Sequence, residues 1–293
     1  GGVHANQLGG TVVPYLAVAL SLLLGSLAAP NKDAAPDGPT VERDVSATHR
    51  RRASRLARPA PIALAATVIA IAGLLLLSQS RSAWIGALVS SATVAALWAA
   101  LLPPGRLRTL LRIGLGLALA AAITGALVLG PAGLQRLWEE PAQLEAVGGV
   151  NTLSFRFEVW RWALMGIQDF LFTGCGLGAF REVGRLLYPM NIAPSYDYAH
   201  AHNIFLQVAL DTGVPGLIAY LAILALALRR AWTTARATPA ARPWALGLLG
   251  GLIALHVFGL TDAIAPGAKP GLVFWMMLGM VEVEERTFAR WRV

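Results

Sequence analysis

The sequence predicts an all-α integral membrane protein, a polytopic helical bundle of about seven spans with one large outward-facing loop. Three observations predict it. Apolar runs recur at close to or above the roughly 18 residues that cross a hydrocarbon core. Of the 293 residues, 56% are hydrophobic and only 14% charged, against about 25% charged in a soluble domain. The basic residues gather on alternate connections, as they do on the cytoplasmic loops of a polytopic protein.

In chain order the spans are expected near 11–29, 60–78, 83–102, 113–131, 203–228, 244–262 and 270–283. The first four carry no charged residue. The fifth opens behind "AHAHN" and contains the break "DTGVPG". The sixth carries His256 and Asp262, and the seventh is the shortest. No internal repeat divides the chain, so 1–293 reads as one membrane domain. It opens at Gly1 without a Met or a charged leader, which is expected of a piece whose upstream part is missing rather than of a signal peptide.

The connections set the orientation. Residues 30–58, 103–112, 229–243 and 284–293 hold 17 Lys and Arg, the opposite set only 7. By the positive-inside rule the first set is cytoplasmic, with 30–58 ("HRRRASRLAR") a basic linker. The long loop 132–202 then faces outward. Within it Phe157, Trp160, Leu164, Ile167 and Leu171 recur at helical spacing, with Glu158, Arg161, Gln168 and Asp169 off that stripe. This predicts a helix lying at the interface. The net charge of +8 is accounted for by cytoplasmic loops, without a nucleic-acid partner. The lone Cys175 excludes an internal disulfide and a cysteine-based zinc cluster.

A few polar residues stand out against this background. Arg81, in "LLLLSQSRSAW", lies in a short outward turn, where it is either a snorkelling arginine or a fixed cation at a cavity rim. Arg156, in "NTLSFRFEVWRW", is either a solvated loop charge or a second such cation. Arginine suits phosphate because its planar fork donates two parallel hydrogen bonds. His200 and His202, in "YAHAHNIFLQVALDTGVPG", offer a metal site, an acid/base group or polar punctuation. No carboxylate, Cys or third His stands at ligand spacing nearby, which argues against metal. A general base needs one imidazole and a partner, for which Asp197, Tyr198 and Asn203 are near in sequence. "DTG" at Asp211–Gly213 reads as a helix break rather than a protease triplet, and "GCGLGAF" as a loop rather than a dinucleotide site. His256 and Asp262 are either a polar pathway or, the favoured reading, interhelical hydrogen-bonding groups.

Three blocks together, "SQSRSAWIGALVS", "FRFEVWRWALMGIQDFLFTGCGLGAF" and "AHAHNIFLQVALDTGVPGLIAYL", resemble the O-antigen ligase and O-antigen polymerase membrane family. "GGVHANQLGG", with Asn6, is similar to an outward turn of that family. The chain departs from the pattern at Asp211, where Glu is common, and at Phe172, where Pro is common. The resemblance implies a GT-C-like, metal-independent glycosyltransferase of the bacterial inner membrane, without cofactor and with its site facing the periplasm. Its donor would be a glycan on polyprenyl diphosphate. Its acceptor would be lipid A-core for a ligase, or another carrier-linked glycan for a polymerase. Arg81 and Arg156 would hold the diphosphate, and His202, with His200, would meet the acceptor hydroxyl. Asn203, Asn6 and Asp211 would support them, and direct displacement would invert the anomeric centre. The rival class is a small-anion transporter, whose signature is broken helices converging at mid-membrane.

Overall fold

The computed structural model describes residues 5–29, 61–139, 153–188, 200–263 and 269–289. The linker 30–58, parts of the loop 132–202, and Asp197 and Tyr198 fall outside the described residues. The described residues form helices and no strand. In chain order these are α1 (Ala5–Ala28), α2 (Pro61–Leu77), α3 (Arg81–Leu101), α4 (Arg106–Glu139), α5 (Leu153–Asp169), α6 (Phe180–Leu187), α7 (Ile204–Ala237), α8 (Arg242–Phe258) and α9 (Lys269–Ala289).

Helix α8 is the axis of the bundle, packed by α1, α3, α7 and α9. Its sequence is apolar all round, as an enclosed helix requires, and residues Ala245 through Leu252 are buried. Small residues set the approach. A Cβ on Gly86 would lie 2.8 Å from the Ala254 carbonyl, and one on Gly247 3.0 Å from Val18 Cα. In lipid there is little hydrophobic drive between helices, so this close backbone packing, with interhelical hydrogen bonds, holds the bundle. One such bond runs from Trp98 Nε1 on α3 to Ser21 Oγ on α1, at 2.9 Å.

Four helices are long and apolar enough to cross a membrane: Asn6–Ala28, Arg81–Leu101, Arg106–Leu134 and Ile204–Ala237. Two more expected spans, α2 and α8, are apolar but only 17 residues long. The seventh, α9, turns polar at Glu282, Glu284 and Glu285. The chain is a multi-pass helical membrane protein, and seven full spans are more than its described helices supply.

Two boundaries differ from expectation. The first helix begins at Ala5, so Asn6 to Gly10 are helical rather than part of a turn. The sixth ends at Phe258, not 262, and residues Gly259–Ala263 turn away from its axis. That early stop puts Asp262 outside the helix.

The interfacial helix expected in the outward loop is α5, but its packed face is not the stripe named above. Phe157 and Leu164 are exposed, while Arg156, Val159, Ala163 and Gly166 are buried. Those four fall at helical spacing and dock on α7. Val159 and Ala163, with Trp162, Phe180, Tyr188, Ala201 and Leu210, build a second, smaller core. The apolar outer stripe is left exposed.

Candidate functional site

The N-terminal ends of α1, α3 and α7 meet the C-terminal end of α8 at one end of the bundle, and a turn, Thr261–Asp262, lies between them. The sequence "HAHN" reaches this turn because of how Asn203 caps α7. Asn203 is extended (φ −158°, ψ 124°) and its Oδ1 accepts from the backbone N–H of Phe205 and Leu206 at 2.9 and 3.1 Å. This satisfies donors that every helix start leaves open. Its Nδ2 donates to the Leu260 carbonyl at 3.0 Å, and the Ile204 N–H donates to the Gly259 carbonyl at 2.7 Å. One asparagine therefore fixes the start of α7 to the end of α8.

The histidines ahead of that cap are not helical. His202 holds a left-handed backbone (φ 47°), a costly state for a residue with a Cβ. Several contacts hold it there. Trp160 Nε1 donates to the His202 carbonyl at 3.3 Å, and the Ala201 N–H donates to Gln207 Oε1 at 2.8 Å. The two imidazoles share one side, with ring centroids 4.3 Å apart.

Both rings meet Asp262. His200 Nε2 lies 3.6 Å and His202 Nδ1 3.9 Å from Asp262 Oδ1. His200 Nδ1 accepts from the His202 N–H at 3.3 Å, which assigns the ring proton to Nε2, on the carboxylate side. The carboxylate also accepts from the Ala263 N–H at 2.8 Å and from the side chain of Asn6. Asn6 in turn accepts from Ser80 Oγ at 2.8 Å, and Ser80 caps α3.

Arg156 reaches the same turn from the first turn of α5. Its Nε donates to the Thr261 carbonyl at 2.9 Å, and the residue is only 4% exposed. A solvated loop charge is thereby excluded for it. Arg81 is the first residue of α3 and half-buried, between two serines tied to the same place. Ser80 holds Asn6, and Ser82 Oγ is 2.6 Å from Thr261 Oγ1. The structure thus brings Asn6, Arg81, Arg156, His200, His202 and Asn203 around Thr261–Asp262.

Asp211 sits one layer behind. It is buried, and its Oδ1 accepts from Gln207 Nε2 at 2.9 Å and from the Gly178 N–H at 3.1 Å. Gln207 carries that constraint to Ala201, so Asp211 steadies the histidine loop without touching it. The break expected at "DTG" is present: Gly213 has φ 72° and ψ 178° inside α7. The "GCGLGAF" loop packs against this break, with Cys175 N–H donating to the Leu210 carbonyl at 2.7 Å. His256 behaves as an interhelical group, 2.7 Å from the Tyr220 hydroxyl.

Asp262 departs from that reading, and sequence reasoning missed it as a site residue. The available signal was a carboxylate closing an apolar run ("HVFGLTDAIAPG"), a group that is expensive near a membrane and so demands a partner. The case against a metal considered only nearby spacing, whereas the fold supplies a carboxylate from far along the chain. His200, His202 and Asp262 each offer one ligand atom, all within 4.8 Å of one another.

Burial governs the protonation of this cluster. His202 is held far below the ordinary imidazole value, at about 2, by desolvation first and then by His200 and Arg156. Desolvation pushes Asp262 above the usual carboxylate range, against the opposing pull of His200, the Ala263 N–H, Arg156 and Asn6. At neutral pH the imidazole of His202 is therefore neutral. The resting site presents arginine charge and an uncharged base, an arrangement suited to an anionic ligand and to proton transfer.

A family model described as O-antigen ligase matches residues 66–221. The match contains Arg81, Arg156, His200, His202 and Asn203, while Asn6 and Asp262 lie outside it. No curated protein matches the chain. With its apolar helices and more than half its length matched, the chain belongs to the O-antigen ligase family of multi-pass membrane enzymes that act on lipid-linked glycans.

Proposed function

We propose that this protein is an O-antigen ligase-like glycosyltransferase, which moves a glycan from a polyprenyl-diphosphate carrier to lipid A-core or a similar acceptor on the periplasmic face of the bacterial inner membrane. The observation that carries the reading is the gathering of two histidines and a buried arginine on the turn that holds Asp262.

In this reading the acceptor hydroxyl attacks the anomeric carbon as the bond from that carbon to the phosphate oxygen breaks, inverting the centre. The hydroxyl proton passes to Nε2 of His202, whose Nδ1 faces Asp262. This is the logic of a base oriented by a carboxylate. The departing polyprenyl diphosphate takes the bonding pair, and its charge is met by Arg156 and Arg81 without need of a metal. The basicity of His202 is lowered by burial first, then by His200 and least by Arg156, and arrival of the diphosphate offsets only the last of these.

The polymerase reading shares all of this chemistry and differs in its acceptor. A strain lacking the gene, complemented by the full-length protein, separates them. Long glycan chains accumulating uncoupled from core identify a ligase, and single repeats capping the core identify a polymerase. Unaltered surface glycan in the deletion strain would refute both.

A further inference from the structure

We infer that His200, His202 and Asp262 also form a binding site for a divalent transition metal of the zinc class, and that its occupation switches glycan transfer off. The three ligand atoms lie within 4.8 Å of one another, with Asp262 Oδ1 3.6 Å from His200 Nε2 and 3.9 Å from His202 Nδ1. Donors on a tetrahedral zinc, at about 2.0–2.2 Å from the metal, stand roughly 3.3 Å apart. From a widest separation of 4.8 Å, closing the triangle brings the ligand atoms together by at most about 1.5 Å. Two imidazoles and one carboxylate suit zinc or cobalt, whereas magnesium and calcium seek all-oxygen shells.

The site is held by an outer layer of contacts. Asn6 and the Ala263 N–H orient the carboxylate, and the cap at Asn203 fixes the stretch bearing both rings. Metal sites depend on such support nearly as much as on their ligands. The guanidinium of Arg156, bonded to Thr261, opposes a dication and moderates the affinity. The fourth coordination position is left for water or a phosphate oxygen.

The switch half of the inference rests on the transfer mechanism above. A metal held by Nδ1 of His202 fixes the ring proton on Nε2, so the nitrogen that takes the acceptor proton has no lone pair left for it. An occupied site is therefore an inactive one, reactivated when the metal is withdrawn.

The test uses the full, tag-free protein, stripped of metal and held in detergent micelles. Titration with cobalt(II) is expected to give one saturable tetrahedral d–d spectrum per chain, bleached by zinc(II) and unaffected by magnesium. His200→Ala and His202→Ala should each weaken cobalt binding by at least about tenfold. Asp262→Asn, a conservative change, should weaken it as well. Cys175→Ser should leave it unchanged, and circular dichroism and elution volume should match wild type throughout. No saturable spectrum, or equal affinity in the histidine variants, overturns the site. Zinc should then inhibit transfer over the concentrations that displace cobalt, with recovery in EDTA. Full transfer at saturating zinc overturns the switch and leaves the site standing. Absence of transfer with and without zinc sinks the transfer reading and the switch with it, while the cobalt titration still decides the site.

Discussion

Arg156 Nε donates to the Thr261 carbonyl at 2.9 Å, so an arginine of the long loop is anchored beside the carboxylate that follows the end of α8. The contact joins the small core around α5 to the main bundle. It also commits a buried positive charge to the one turn that holds both histidines.

Arg156→Ala should lower the turnover of glycan transfer by about 10²–10³-fold, the effect of removing one preorganised donor to developing charge. Arg156→Lys should recover only part of this, because an ammonium lacks the planar fork. Steady-state kinetics on the two variants checks the order. Full activity in the lysine variant would show that charge alone suffices.

Asp262→Asn keeps the size of the side chain and removes the group that orients His200 and His202. Turnover should fall by roughly 10²–10⁴-fold, the range for losing acid–base catalysis, with donor binding little changed. Equilibrium binding of the carrier-linked glycan, measured beside the rate, distinguishes this from general damage.

Asn203→Ala should cost about 1 kcal/mol as a lost helix cap, plus the bond to the Leu260 carbonyl. Asn203→Asp retains the cap oxygen but cannot donate to that carbonyl, and should fall between. Thermal unfolding in detergent ranks the three proteins.

Gly213→Ala meets two obstacles at once. The backbone has φ 72°, and a Cβ would stand 2.6 Å from the Phe172 carbonyl. A loss of about 1–3 kcal/mol should appear as a lowered unfolding temperature.

The pH response follows from His202. Its folded value, about 2, lies below the ordinary 6.5, so the unfolded chain binds more protons in between. The stability it contributes is complete above pH 6.5 and is lost as pH falls below it. Asp262 has the opposite sign: its raised value favours the folded state at low pH, and that contribution is lost as pH rises through it. His202→Gln should therefore flatten the decline in melting temperature between pH 6.5 and 4. An unchanged decline would mean that His202 is solvated.

The helical membrane class, a helix within the long loop and the break at Gly213 were legible because each depends on local signals. Apolar length and a glycine–proline break are visible over a few residues. Asp262 was not legible in the same way. Its importance comes from α8 stopping at Phe258, which turns an apparent membrane carboxylate into the centre of a loop cluster. The packed face of α5 was misjudged for a related reason. Both of its sides are apolar, and burial of Arg156 beside Val159 and Ala163 is decided by a partner helix, α7, that periodicity cannot reveal.

The most direct measurement is transfer of a labelled glycan from polyprenyl diphosphate to lipid A-core by purified protein in EDTA, comparing wild type with His202→Ala. The account predicts robust transfer by wild type, with inverted anomeric configuration in the product, and loss of at least about 10²-fold in the folded variant. Transfer by the variant at the wild-type rate would contradict it.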